Sequence, residues 1–270
     1  DIQDLVWDSN CGINLTNYLT DRKEKIGIIA KGCDSRNIVT HIIENKIKRE
    51  QLVIIGVPCK GMIDKRKINS MFEGEIREVI EDENNITVKG DGFDKVLNKN
   101  DILQQNCMLC AHRNPVEYDE LIADLVEEQP DLDRYPDIRD IEAMSPGDKW
   151  TFFENLLAPC IRCYACRNAC PLCYCPTCFV DEAQPQWVGK SQDPIDVKTF
   201  HFLRAYHCAG RCTDCGACER ACPVGFNMRL LTRKLEKDCF ELFAWEAGMS
   251  LDVRPPLDTY KPGDPYDFIK

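Results

Sequence analysis

Eight cysteines fall into two copies of one pattern: Cys160-Ile-Arg-Cys163-Tyr-Ala-Cys166-Arg-Asn-Ala-Cys170-Pro171 recurs as Cys212-Thr-Asp-Cys215-Gly-Ala-Cys218-Glu-Arg-Ala-Cys222-Pro223. Both copies read C-x2-C-x2-C-x3-C-P, a spacing with which thiolates ligate 4Fe-4S clusters, and in this pattern the fourth cysteine reaches the other cluster of a pair. The predicted ligand sets are therefore crosswise. Cys160, Cys163, Cys166 and Cys222 would hold cluster 1, and Cys212, Cys215, Cys218 and Cys170 would hold cluster 2. Four thiolates leave no open iron site, so the chemistry implied is electron transfer and not bond-making. Ala165, Ala169, Gly216, Ala217 and Ala221 keep the wrapping loops small, which lets backbone N–H groups approach cluster sulfurs. Two structural zinc sites are the alternative use of eight thiolates, although zinc modules rarely use this spacing twice.

The other ten of the 18 cysteines form looser groups. Cys33 and Cys59 each follow an apolar run that reads as a strand, which places them at the carboxyl edge of a sheet, where open α/β folds put their sites. Cys107-Met-Leu-Cys110 can fold back over that edge, and the four thiols together suit a third 4Fe-4S cluster, with zinc or redox-active thiols as the alternatives. Cys33 at a helix start is expected to have a lowered thiol pKa. Cys173, Cys175 and Cys178 form a C-x-C-x2-C group, and with Cys208 they make a candidate fourth cluster for which Cys11 is another source of the last ligand. Cys239 lies in an amphipathic helical segment and reads as a packed thiol. Cys166, Cys170 and Cys173 also spell the C-x3-C-x2-C of radical enzymes, but no barrel of about 200 residues follows.

Other side chains read as supporting. His41, His201 and His207 fall in helical segments and read as structural, while His112, two residues after Cys110, reads as a solvated loop residue or a group that tunes an N-terminal cluster. Arg162, Arg167 and Arg220 read as a basic rim or as solvated arginines. Met228, Leu230, Leu231 and Leu235 form a helical stripe suited to a core or a subunit contact.

The elements that must position these groups follow from periodicity. Lys25–Ala30 and Leu52–Val57 are short continuous apolar runs, and 37–48 carries apolar residues at helical spacing. This is a βαβ unit with buried parallel strands. Segments 73–80, 86–89 and 93–97, broken by Asn84-Asn85 and Gly90-Asp91-Gly92, suit a small antiparallel meander. Acidic residues and prolines crowd 116–144, which reads as a connecting arm without a core of its own. Ser145 as N-cap and Pro146 at the first helical position open a helix toward Cys160, and helices over 197–209 and 228–247 bracket the second cysteine run. The expected fold class is an α/β N-terminal domain (βαβ with a small β insertion, 1–115) plus a mostly α-helical C-terminal domain (145–250), joined by the arm 116–144 and followed by an extended tail (251–270).

Composition narrows the setting. A net charge of −11 over 270 residues, with no basic face, argues against nucleic acid as a partner. No apolar run approaches the roughly 20 residues of a membrane span. Cysteines in metal-ligand spacings, and not in a secreted disulfide framework, point to a reducing cytoplasm.

The paired runs, each preceded by a helix and about forty residues apart, resemble the α-helical ferredoxin domain over roughly residues 145–247. The C subunit of heterodisulfide reductase and the iron–sulfur subunits of succinate dehydrogenase-like enzymes carry this type. Lys31-Gly-Cys33-Asp-Ser-Arg36 with Ile55-Gly-Val-Pro-Cys59-Lys-Gly61 resembles the β-subunit family of deazaflavin-coenzyme-reducing hydrogenases and formate dehydrogenases over about residues 10–120. That second resemblance implies a 4Fe-4S cluster, flavin (FAD), and relay of electrons to a partner catalytic subunit, although the chain is shorter than a full flavin domain plus a ferredoxin module requires. Together they imply an electron-transfer subunit of an anaerobic oxidoreductase complex, partnered by a hydrogenase, a formate dehydrogenase or a heterodisulfide-reductase-like flavoprotein. The rival expectation is a flavin- or deazaflavin-dependent oxidoreductase subunit with an active site of its own at the Cys33 and Cys59 edge.

Overall fold

A computed structural model describes residues 6–259 and 262–263; most of the tail expected beyond residue 259 lies outside them. Strand β1 (Ile26–Ala30) and strand β2 (Leu52–Gly56) pair in parallel from Ile26↔Leu52 to Ala30↔Gly56. Helix α1 (Gly32–Ile43) makes the crossover. It starts five residues earlier than the sequence periodicity predicts, because Asp34 turns back to accept from the Lys31 backbone N–H at 3.1 Å and so organises the first turn. It ends before Asn45, which adopts the left-handed conformation asparagine tolerates. Leu19, Ile28, Ile38, Ile47, Leu52 and Ile54 form the core of this unit.

After helix α2 (Lys65–Ser70), strands β3 (Ile76–Glu81), β4 (Asn85–Gly90) and β5 (Phe93–Asn98) form the expected antiparallel meander. Ile86 and Val88 on its inner face pack on Ile63, Ile68 and Ile102. Helix α3 (Gln105–Met108) then returns the chain to the carboxyl edge of the parallel sheet.

The segment expected as an acidic arm without a core of its own carries two elements that pack on the rest of the molecule. Strand β6 (Glu120–Leu121) joins the sheet beside β2, giving the order β1-β2-β6, and Asp119 accepts the Ile54 N–H at 2.7 Å. Helix α4 (Pro136–Ala143) buries Ile138, with Tyr135 just before it also buried. The acidity has partners that local composition cannot show: Asp137 pairs with Arg233 at 2.8 Å and Glu142 with Lys237 at 3.0 Å, both on helix α9 (Arg229–Phe243).

The C-terminal half is helical, as expected. Helix α5 (Pro146–Leu157) begins at the Ser145 cap, helix α7 (Pro194–His207) crosses it, and α9 packs on α7. Helices α6 (Ala165–Asn168) and α8 (Ala217–Arg220) are single turns inside the two cysteine runs. The halves are laced together: His41 Nε2 meets Pro171 O at 2.7 Å, Arg36 Nε donates to Ala247 O at 2.9 Å, and Arg66 donates to the carbonyls of Glu219 and Arg220.

Candidate iron–sulfur site

The two cysteine runs fold alike. In the first, Arg162 and Tyr164 have positive φ (51° and 60°); in the second, Asp214 and Gly216 do (52° and 71°), at the same two positions of the motif. Left-handed residues on both sides of the second cysteine curl the chain around a centre, and the single turns α6 and α8 then carry the third cysteine inward. Glycine accepts this conformation freely. At Tyr164 the ring is held edge-on to Phe200 at 5.2 Å, and its hydroxyl accepts from Arg162 Nη2 at 2.9 Å.

Cys160, Cys163, Cys166 and Cys222 line one cavity, together with His201, Phe200 and Arg162. Cys170, Cys212, Cys215 and Cys218 line a second, together with Cys208, Arg204 and Arg229. The fourth cysteine of each run therefore opens into the cavity of the other.

A third cavity lies at the carboxyl edge of the parallel sheet and is lined by Cys33, Cys59, Cys107 and Cys110. Its ligands arrive from three places: the start of α1, the turn after β2, and α3 with the loop that follows. Gly32 is what allows closure, since a Cβ there would stand 2.5 Å from the His112 carbonyl oxygen. Backbone N–H groups already point at its sulfurs, from Gly61 to Cys59 at 3.4 Å and from Met62 to Cys107 at 3.3 Å. Cys215 of the second cavity also lines this one, so the two share a wall.

Each of the three cavities holds one deeply buried arginine with an unpartnered nitrogen: Arg36 Nη2, Arg162 Nε and Arg204 Nε. These residues are 3%, 7% and 4% exposed, and among the described residues none pairs with a carboxylate. Neutral oxygens accept from all three, but a buried cation that no anion balances costs several kcal/mol, and burial conversely pushes the Cys107, Cys110 and Cys166 thiols up to about 11. A multi-atom anionic group bearing sulfide satisfies both halves of this imbalance. The donor set, at least four cysteines per cavity with a cation alongside, fits 4Fe-4S clusters. Among the described residues no three His, Cys, Asp or Glu side chains close on one point as a single-ion site; the thiols surround spaces instead.

Cys33 departs from expectation. Its thiol lies well above the usual range, because burial and the neighbouring Asp34 outweigh Lys31 and the helix start. The candidate fourth group is not assembled in one cavity. Cys173 and Cys208 lie with Cys170 and Cys212, whereas Cys178 packs into the core around Phe200 and Cys175 is exposed. Cys11 engages Asp8 and the Val6 carbonyl. Cys239 is buried in α9 as expected.

The arginines read as a rim or as solvated are placed otherwise. Arg162 is inside, Arg167 pairs with Asp181 at 2.8 Å, and Arg220 binds Gly12 O, Gln104 and Cys215 O. His112 meets Glu246 at 2.5 Å, and His207 packs edge-on to Phe179. His201, read as structural, places Nε2 3.2 Å from Cys160 Sγ. Burial, with Arg204 and Arg162 nearby, holds it down to about 3, so the ring is neutral. Arg36 and Arg204 also line these cavities, which cysteine spacing does not indicate. Their signal in the sequence is a charged side chain on the apolar face of a helix, as at His201 and Arg204, three apart on α7.

A family model described as a 4Fe-4S dicluster domain matches residues 156–226. The F420-dependent formate dehydrogenase subunit beta of Methanocaldococcus jannaschii is 24% identical over 310 aligned positions, covering 92% of this chain and 79% of that protein. The F420-dependent formate dehydrogenase 1 subunit beta of Methanococcus maripaludis is 22% identical over 256, covering 72% of this chain and 65% of that protein. Both resemblances drawn from the sequence, to a ferredoxin-type cluster domain and to the β-subunit family, are borne out, and with them the iron–sulfur electron-transfer reading. The first alignment is longer than this chain, so that relative carries inserted segments the chain lacks. Among the described residues no helix is long and apolar enough to cross a membrane.

Proposed function

We propose that this chain is an electron-transfer subunit that holds three 4Fe-4S clusters in sequence. Cys33, Cys59, Cys107 and Cys110 would hold the first in line, Cys170, Cys212, Cys215 and Cys218 the middle one, and Cys160, Cys163, Cys166 and Cys222 the last. The observation that carries this reading is the recurrence, in all three cavities, of at least four cysteines and one buried arginine with an unpartnered nitrogen. Each cluster, when bound, supplies one-electron redox chemistry.

The residues of the chain do the rest. Cysteine thiolates anchor, the arginines balance charge, and Met62, Gly61 and Arg162 aim backbone N–H groups at sulfur. Cys215 faces two cavities, which makes the middle site the junction between the α/β half and the helical half. Cys163, the exposed ligand of the last site, gives that end a route to solvent or to another protein. Because its relatives are β subunits of formate dehydrogenase, the partner would be a catalytic subunit of an oxidoreductase complex.

Anaerobic iron, sulfide and zinc analysis tests the reading. Three clusters require about twelve irons per chain. About eight would remove the N-terminal site, and zinc with little iron would overturn electron transfer altogether.

One observation favours a second reading, that the chain also binds flavin. A cavity of about 740 Å³, within the range of small-molecule sites, lies between segments 10–18, 63–66 and 104–106 of the first half and 165–169 and 216–221 of the second. Gly216 and Ala217 separate it from the middle cysteine cavity. The cavity at Cys33 and Cys59, where the rival expectation put an active site, holds only about 50 Å³. Flavin fluorescence released on denaturing native protein would support this reading, and its absence at stoichiometric sensitivity would dismiss it.

A further inference from the structure

We propose that Arg204 is the counter-charge of the middle cluster, a positioning residue whose guanidinium raises the reduction potential of the site built from Cys170, Cys212, Cys215 and Cys218. The proposal rests on the cluster reading above and adds a residue that tunes the middle site.

Two cations line this cavity. Arg229 is fully matched, to Asp214 at 2.7 Å and to Glu219 at 2.6 Å. Arg204 is not: its one hydrogen bond runs from Nη2 to the Cys166 carbonyl at 3.3 Å, its Nε is unpartnered, and among the described residues it has no carboxylate partner. It is 4% exposed, so water does not solvate it either. A guanidinium cannot discard its proton to escape this position. Its charge is therefore balanced by what occupies the cavity.

The position is also intermediate. Arg204 lines the middle cavity, yet it hydrogen-bonds the backbone of Cys166, a cysteine of the last one. The last cavity has a cation of its own, Arg162, but that guanidinium already donates to the carbonyls of Gly189 and Ser191 and to the Tyr164 hydroxyl. Adding one electron from an external reductant such as dithionite makes a cluster more negative without breaking or forming a bond in the protein. In a dry site that added charge is stabilised by a fixed cation next to it, and net charge around a cluster is one of the levers on its potential.

The test is an anaerobic redox titration of the full-length, iron-loaded protein followed by electron paramagnetic resonance, with the middle-cluster signal identified as the one altered by Cys212→Ser. Arg204→Met should make that cluster at least tenfold harder to reduce, a fall of about 59 mV for a one-electron couple. Arg204→Lys should stay near the wild-type value, and the N-terminal cluster should be unmoved in both. Should Arg204→Met fail to take up iron, Arg204→Gln, which keeps a donor for the Cys166 carbonyl and removes the charge, replaces it. Unchanged potentials in a fully loaded neutral variant would overturn the proposal, as would a fall in Arg204→Lys as large as in the neutral variant. Fewer than about eight irons in the wild-type protein would instead defeat the cluster reading itself, whatever the variants do.

Discussion

The helical half and the α/β half hold their cysteines in opposite ways. In the helical half, eight of them come from two contiguous runs, and Cys166 and Cys222 belong to the hydrophobic core itself, packed with Phe200, Met228 and Leu231. In the α/β half the main cores, around Ile28 and Ile54 and around Ile86 and Val88, contain no cysteine, and the four thiols sit at their edge, on the first turn of α1, the turn after β2, and α3 with the loop that follows, where Cys107 packs in a small cluster with Met62 and Leu103. The difference teaches that the helical half is built around its cofactors, whereas the sheet half is a scaffold that presents a site.

Removing the metal should break the molecule along this line, and it is the largest effect expected. Chelation under reducing conditions should melt residues 145–250 while the sheet and meander persist, because structural metal binding is itself folding free energy. Limited proteolysis with mass spectrometry would then show cuts in the second half first; uniform digestion of both halves would contradict the comparison.

Single ligands sharpen it. Cys218→Ala should cost about four irons per chain and also destabilise the neighbouring cluster, since Cys166 and Cys218 sit on adjacent turns. Cys59→Ala should cost about four irons and leave the ferredoxin pair intact. Iron counts on the two purified variants, with their electron paramagnetic resonance spectra, distinguish these outcomes.

Gly32→Val attacks the scaffold. A branched side chain where even a Cβ would stand 2.5 Å from His112 O must push the 110–114 loop away from α1. The expected outcome is loss of the N-terminal cluster with a stability cost of about 1–3 kcal/mol, measured by iron content and denaturant unfolding. The smallest effect belongs to Asp119→Ala, which leaves the Ile54 N–H without its acceptor. It should cost about 1–2 kcal/mol and leave iron content unchanged.

The sequence determined the two cysteine runs, the βαβ unit, the meander and the capped helix after Ser145, because each rests on spacing within a short stretch of chain. His112, Arg162 and the acidic arm were legible as residues but not in role, since their partners Glu246, Tyr164 and the basic face of α9 lie elsewhere in the chain or turn inward only on folding. Which thiols share a cavity outside the two runs was decided only by tertiary structure: Cys33, Cys59, Cys107 and Cys110 were brought together, and the group of Cys173, Cys175, Cys178 and Cys208 was divided. The same holds for Arg36, Arg162 and Arg204. An arginine's type is fixed along the chain, but whether it meets water, a carboxylate or a wall of thiols depends on what the fold packs around it.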